Sequence, residues 1–167
     1  MPEQETVRRT REDAREGKSP STQAGEFVRE EMDHIRKGKH GARSPQQAIA
    51  IGLSKARRAG VKLPPPKKGK TSARTRGQAE RDLKKGASAG SHTTSRRRSR
   101  ATSGALKREG HGAASHAALS RHAESSARRR GRADRHRAAE KAVHTKGSQG
   151  RKRSARKAAR TRRVRRG

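Results

Sequence analysis

The stretch Lys37–Gly60, KGKHGARSPQQAIAIGLSKARRAG, decides the fold. Ser44-Pro45-Gln46-Gln47 reads as a helix start. Ser caps, Pro fills the first turn where its missing N–H costs nothing, and Gln at the third position reaches back. The helix is expected over 45–59, with Gly60 in a left-handed turn and Val61 folded back on Ala56. Ile49, Leu53 and Ala56 share a face with Ala48, Gly52 and Ala59. The row Ala48, Gly52, Ala56 leaves room for a second helix to approach closely. Ile51 departs from the pattern, because it falls with Lys55 and Arg58 on the face that should be wet. It covers Val61 and Leu63, faces a second copy of the chain, or is a singly exposed Ile. The alternation Ile49, Ile51, Leu53 also fits a strand, but the start and stop signals favour the helix.

Upstream, a first helix is expected over 20–37. Ser19 is the cap and Pro20 the first helical residue. Ala24, Val28, Met32 and Ile35 form one apolar stripe, Arg36 and Lys37 suit the negative end of the dipole, and Gly38 stops the helix. Downstream, Pro64-Pro65-Pro66 forbids a continuous helix and marks a linker.

Composition limits the rest. Of 167 residues, 47 are Lys or Arg and 15 are Asp or Glu, a formal net charge of +32. Leu, Ile, Val and Phe together number 14, too few to enclose a conventional enzyme pocket, and Trp, Tyr and Cys are absent. No apolar run approaches the length of a membrane span, and no thiolate metal site or disulfide can form. Residues 1–40 hold nine basic and nine acidic side chains, so the whole excess lies after His40. Large apolar residues cluster between Phe27 and Leu63 and are sparse beyond Pro66.

The expected fold class is therefore mostly α: a small two-helix module (about 20–37 and 45–59) plus a long basic tail, largely disordered, with nascent helices. The organisation reads as a polar N-terminal segment 1–18, a helical hairpin 19–63, a Pro/Lys linker 64–70 and an Ala/Arg/Lys/Ser/Gly-rich tail 71–167. Like charges oppose helix formation in the tail, so its helices are expected to form on a polyanion.

No catalytic constellation is present. None of the eight His lies four residues from another, so helical His–His ligand spacing is missing, and no metal, cofactor or small-molecule substrate is expected. The basic clusters are the signal, since charge runs of this size repel themselves unless a polyanion neutralises them. The candidate DNA-binding residues are Lys55, Arg58 and Lys62 in the module, and Lys67, Lys68 and Lys70 in the linker. In the tail they are Arg96, Arg97, Arg98, Arg100, Arg128, Arg129, Arg130 and Arg132. The terminal run adds Arg151, Lys152, Arg153, Arg156, Lys157, Arg160, Arg162, Arg163, Arg165 and Arg166. The tail has no aromatics to stack on bases, which favours duplex DNA, bound through its backbone, over RNA.

The segment from Glu26 to Lys68, with Lys37–Gly60 at its centre, resembles a small bacterial domain family of unknown function. Its members are often labelled DNA-binding, and some carry a heat-shock label. The phrase RATSGALKREG, Arg100 to Gly110, looks like that of long members of the same family. In composition the tail resembles histone H1-like bacterial proteins. The resemblance implies a nucleoid-type role and supplies no catalytic residues.

The function expected is nonspecific duplex-DNA binding by phosphate neutralisation, in the cytoplasm at the nucleoid, with a homodimer through the helical module and no membrane partner. Two alternatives stand beside it: an RNA- or ribosome-associated stress protein, and a partner-binding module anchored by its tail.

Overall fold

The computed structural model describes residues 2–88 and 95–164. Eight helices occur among them: α1 (Gln4–Arg15), α2 (Pro20–Arg36), α3 (Pro45–Arg58), α4 (Ala73–Ala87), α5 (Arg96–Lys107), a 3-10 turn (Gly112–Ala114), α6 (His116–Arg129) and α7 (Arg132–Val164). With 76% of the chain helical, the mostly-α expectation holds. The two-helix module with a largely disordered tail does not. Two further helices and a tail segment pack on the hairpin, and the tail itself is helical. The chain divides into two units, Met1–His122 and Ala123–Gly167.

The expected hairpin forms the centre of the first unit. Ser44 Oγ accepts from Gln47 N at 3.2 Å, and Gln47 Oε1 accepts from Arg43 N at 2.8 Å. At the other end of α3, Gly60 has φ +95° and Val61 N donates to the Ala56 carbonyl, which closes the turn as expected. Ser19 departs from its expected role. Its hydroxyl bonds Ser21 and Thr22 side chains instead of capping α2. Gly52 is the point of closest approach between the helices. A Cβ there would lie 2.7 Å from Val28 Cα.

The additions bury little large apolar surface, which is why counting large apolar residues misses them. Among the described residues, seven of the eleven buried hydrophobic ones are Ala. One core cluster joins Met32, Ile35, Ala42 and Ala48 to Ala113 and Ala114; the other joins Ala24, Phe27, Ala56 and Val61. Small side chains let backbones approach, and the contact area comes from the main chain. Residues 106–114 thus belong to the hairpin's core. Gly41 N donates to Leu106 O at 2.9 Å, Ala42 N to Gly110 O at 3.1 Å, and Arg36 Nε to Ala114 O at 3.0 Å.

The expected polar segment 1–18 contains α1. Glu5–Arg8, Glu5–Arg9 and Arg8–Glu12 pairs brace its outer face. Thr6, Thr10 and Asp13, spaced i, i+4, i+7, are buried on its inner face against α2. α4 starts at a Ser72 cap and packs on α3 through Ala79 and Asp82. It lies on the side of α3 that carries Ser54 and Arg58, one turn beyond Ile51. Ile51 itself is half-buried.

The second unit is dominated by α7, which kinks at Gly147 (φ +60°). Ala and Arg are good helix formers. The first turns are braced by Asp134–Arg137 and His136–Glu140 pairs. The nascent-helix expectation fails because the intrinsic propensity of Ala and Arg outweighs like-charge repulsion along α7. No helix among the described residues is long and apolar enough to cross a membrane.

Candidate nucleic-acid interface and a buried charge cluster

The exposed cations lie mainly on the later helices. Arg96, Arg97, Arg98 and Arg100 are exposed on α5, a helix without an acid. Arg128 and Arg129 end α6, Arg130 follows it, and Arg132 opens α7; all four are exposed. Residues 151–163 of α7 hold eight Lys or Arg, no acid, and no side chain that is not exposed. At 100° per residue these eight span roughly two-thirds of the helix circumference, leaving Ser154, Ala158 and Thr161 as the uncharged strip. Arg165 and Arg166 lie outside the described residues. Lys62, Lys67, Lys68 and Lys70 are exposed near the proline linker.

The structure separates the α3 cations from this set. Lys55 is mostly buried, with Nζ 2.5 Å from Glu31 Oε2 and 3.5 Å from Glu30 Oε1. Arg58 is exposed, but its Nε faces Ser54 O at 3.3 Å and Asp82 at 3.8 Å. Arg57 is buried, and its guanidinium donates to the carbonyls of Leu63 and Pro64. Burial pushes its pKa down, against the nearby Asp82 carboxylate. Lys55 and Arg57 thus tie α3 to its surroundings, whereas Arg58 stays exposed while tethered to Ser54.

Beneath this surface lies a cluster that His–His spacing could not reveal. Glu31 and His34 are one turn apart on α2, and the turn at Gly38 (φ +72°) brings His40 back beside them. Potential ligand atoms of Glu31, His34 and His40 all lie within 4.8 Å of one another. Glu31 is fully buried, and neither carboxylate oxygen receives a directed hydrogen bond. His40 Nε2 faces Glu31 Oε1 at 3.2 Å, while its Nδ1 faces the Gly41 carbonyl at 3.0 Å. His34 Nε2 lies 2.8 Å from Glu3 Oε1. Glu3 also accepts from Lys39 Nζ, and this bond, followed by that with His34, holds its pKa at about 2. Glu30 Oε2 accepts from Glu3 N at 3.1 Å. The sequence signal for this cluster is Glu31-x-x-His34, an i, i+3 pair on one helix face, followed by a left-handed turn and a second His.

Residues 15–68 match the model of a family of unknown function (DUF6496). The match covers α2, α3 and the proline linker, and so contains Glu31, His34, His40 and Lys55. No curated protein and no solved structure matches the chain.

Proposed function

We propose that the protein binds nucleic acid, duplex DNA in preference to RNA, through the phosphate backbone and without base specificity. One observation carries this reading: the α7 segment 151–163, with eight cations, no acid and every side chain exposed. An isolated helix of that composition is self-repelling, and phosphates relieve the repulsion. Its geometry fits as well as its charge. A helix about 10–12 Å across enters a major groove about 12 Å wide. Cations around roughly two-thirds of its circumference then meet phosphates on both groove walls. The α5 cluster and the linker lysines supply further contacts, whereas Lys55 and Arg57 take no part. The absence of aromatics beyond Phe27 leaves no stacking platform for single strands. Association with the bacterial nucleoid follows if the ligand in cells is chromosomal DNA.

The test is a full-length variant with Arg151, Arg153, Arg156, Arg160 and Arg163 changed to Ala, beside the matching Lys variant. Duplex DNA affinity falls at least tenfold in the first and changes little in the second, because phosphate contact along a groove needs charge more than a fixed fork. Unchanged affinity in the Ala variant refutes the reading. Stronger competition by duplex RNA than by duplex DNA, at equal phosphate, transfers the function to RNA.

A further inference from the structure

The Glu31–His34–His40 cluster gathers two imidazoles and one fully buried carboxylate in a small volume. In the neutral tautomer whose Nδ1–H donates to the Gly41 carbonyl, His40 presents the lone pair of Nε2 to a carboxylate oxygen 3.2 Å away. Two lone pairs at that distance repel unless a proton or a metal ion stands between them. Ligands at 2.0–2.1 Å from a tetrahedral zinc ion lie about 3.3 Å apart, close to the 3.2 Å between His40 Nε2 and Glu31 Oε1. His34 shows the complementary feature. Its Nε2–H donates to Glu3, which orients the ring and leaves Nδ1 as the lone-pair atom. Histidine ligands are commonly held this way, by a carboxylate or a backbone carbonyl on the nitrogen away from the metal. Both arrangements are present here, Glu3 on His34 and Gly41 on His40.

The charge count points the same way. Among the described residues, Glu3, Glu30 and Glu31 face the two ammonium groups of Lys39 and Lys55, so with neutral imidazoles three carboxylates meet two cations. Glu31, fully buried, is where the unmatched charge is most costly. Lys55 occupies Oε2, and Oε1 is left facing His40.

We propose that Glu31, His34 and His40 bind one zinc-type divalent metal ion, with Glu3 as the positioning residue for His34. Two imidazoles and one carboxylate suit zinc and its borderline neighbours and not magnesium or calcium, which take oxygen sets. Three protein ligands leave the fourth position to water. The ion ties α2 to the loop 38–42, the loop whose Gly41 and Ala42 amides hold the segment 106–110. Metal binding therefore stabilises the docking of that tail segment on the α2–α3 hairpin. This inference is independent of the nucleic-acid reading.

The test is titration of the untagged full-length protein with Co2+ alone, read by visible d–d absorption, followed by competition with Zn2+. The wild type gives one saturable equivalent with tetrahedral bands that Zn2+ abolishes. His40→Gln and Glu31→Gln each weaken Co2+ by more than a hundredfold, and Glu3→Gln by about tenfold. Lys55→Met removes a competing ammonium and tightens Co2+. The wild-type titration decides the proposal even where a variant folds poorly, which circular dichroism reports. Zn2+ further slows tryptic cleavage after Lys107 and Arg108 in the wild type and not in His40→Gln. Absence of saturable bands in both the wild type and Lys55→Met overturns the proposal and leaves a protonated His40 as the bridging cation. Binding that persists unchanged in His40→Gln and Glu31→Gln also overturns it, by assigning the metal to the tail histidines.

Discussion

Gly41 lies so close to Glu109 that a Cβ at position 41 would sit 1.9 Å from the Glu109 carbonyl oxygen and 2.7 Å from that of Gly110. Gly41 and Glu109 are 68 positions apart in the chain. Because the obstruction is backbone, no side-chain rotation relieves it. Gly41→Ala is expected to cost about 3 kcal/mol, the upper end of overpacking, by pushing residues 106–114 away. Urea denaturation measures the loss, and faster tryptic cleavage after Lys107 and Arg108 locates it. Unchanged stability means that the tail segment does not dock on the hairpin in solution.

Asp82 joins α4 to α3. It is almost fully buried and accepts from Ser54 Oγ at 2.6 Å and from Gln78 Nε2 at 3.1 Å. Asp82→Ala strands the Ser54 hydroxyl and is expected to destabilise the first unit by about 1–3 kcal/mol. Ser54→Ala costs less, and adding it to Asp82→Ala costs almost nothing further. Additive losses in a denaturation cycle would show that the bond contributes nothing.

Ser44→Ala with Gln47→Ala removes both bonds that begin α3. The expected loss is about 1 kcal/mol, visible as a lower melting temperature with the helical signal otherwise intact. A larger collapse of helicity would place more of the fold's stability at this cap than one turn can supply.

The Glu5 carboxyl is held at about 2, below its ordinary 4.5, by its hydrogen bond to Arg8 and then by Arg9. A depressed folded-state pKa means that the pairing is complete above about pH 4.5 and is lost as pH falls through about 2. All three side chains are solvent-accessible, so the effect is small and salt-screened. Carboxyl NMR chemical shifts give the Glu5 midpoint directly. A midpoint near 4.5 means that the α1 pairs do not persist.

The sequence made α2 and α3 legible because their signals are local: a Ser-Pro-x-Gln start, a Gly stop and an i, i+4 apolar row. Gly52 and Ala56 also announced a close helix crossing, and Gly52 faces Val28 as that row implies. α1 and α4 were not legible, because their buried faces are Thr6, Thr10, Asp13, Ala79 and Asp82, residues that apolar periodicity passes over. The 106–114 segment docks through main-chain amides and two alanines, and no side-chain pattern encodes that. At the site, charge counting located the exposed arginines of α5 and α7. It could not show that Lys55 is paired, because the acids beside it lie one helix away on α2. Helix content in the tail was underestimated by weighing charge repulsion above the intrinsic propensity of Ala and Arg.

The claim that basic helices hold duplex DNA by phosphate neutralisation is tested most directly by fluorescence anisotropy of the full chain across a salt series, on two unrelated duplexes. With about ten cations on phosphate at once, log affinity falls with log salt at a slope near −9 and is nearly the same for both sequences. A slope shallower than about −3, or a hundredfold preference for one duplex, contradicts the account.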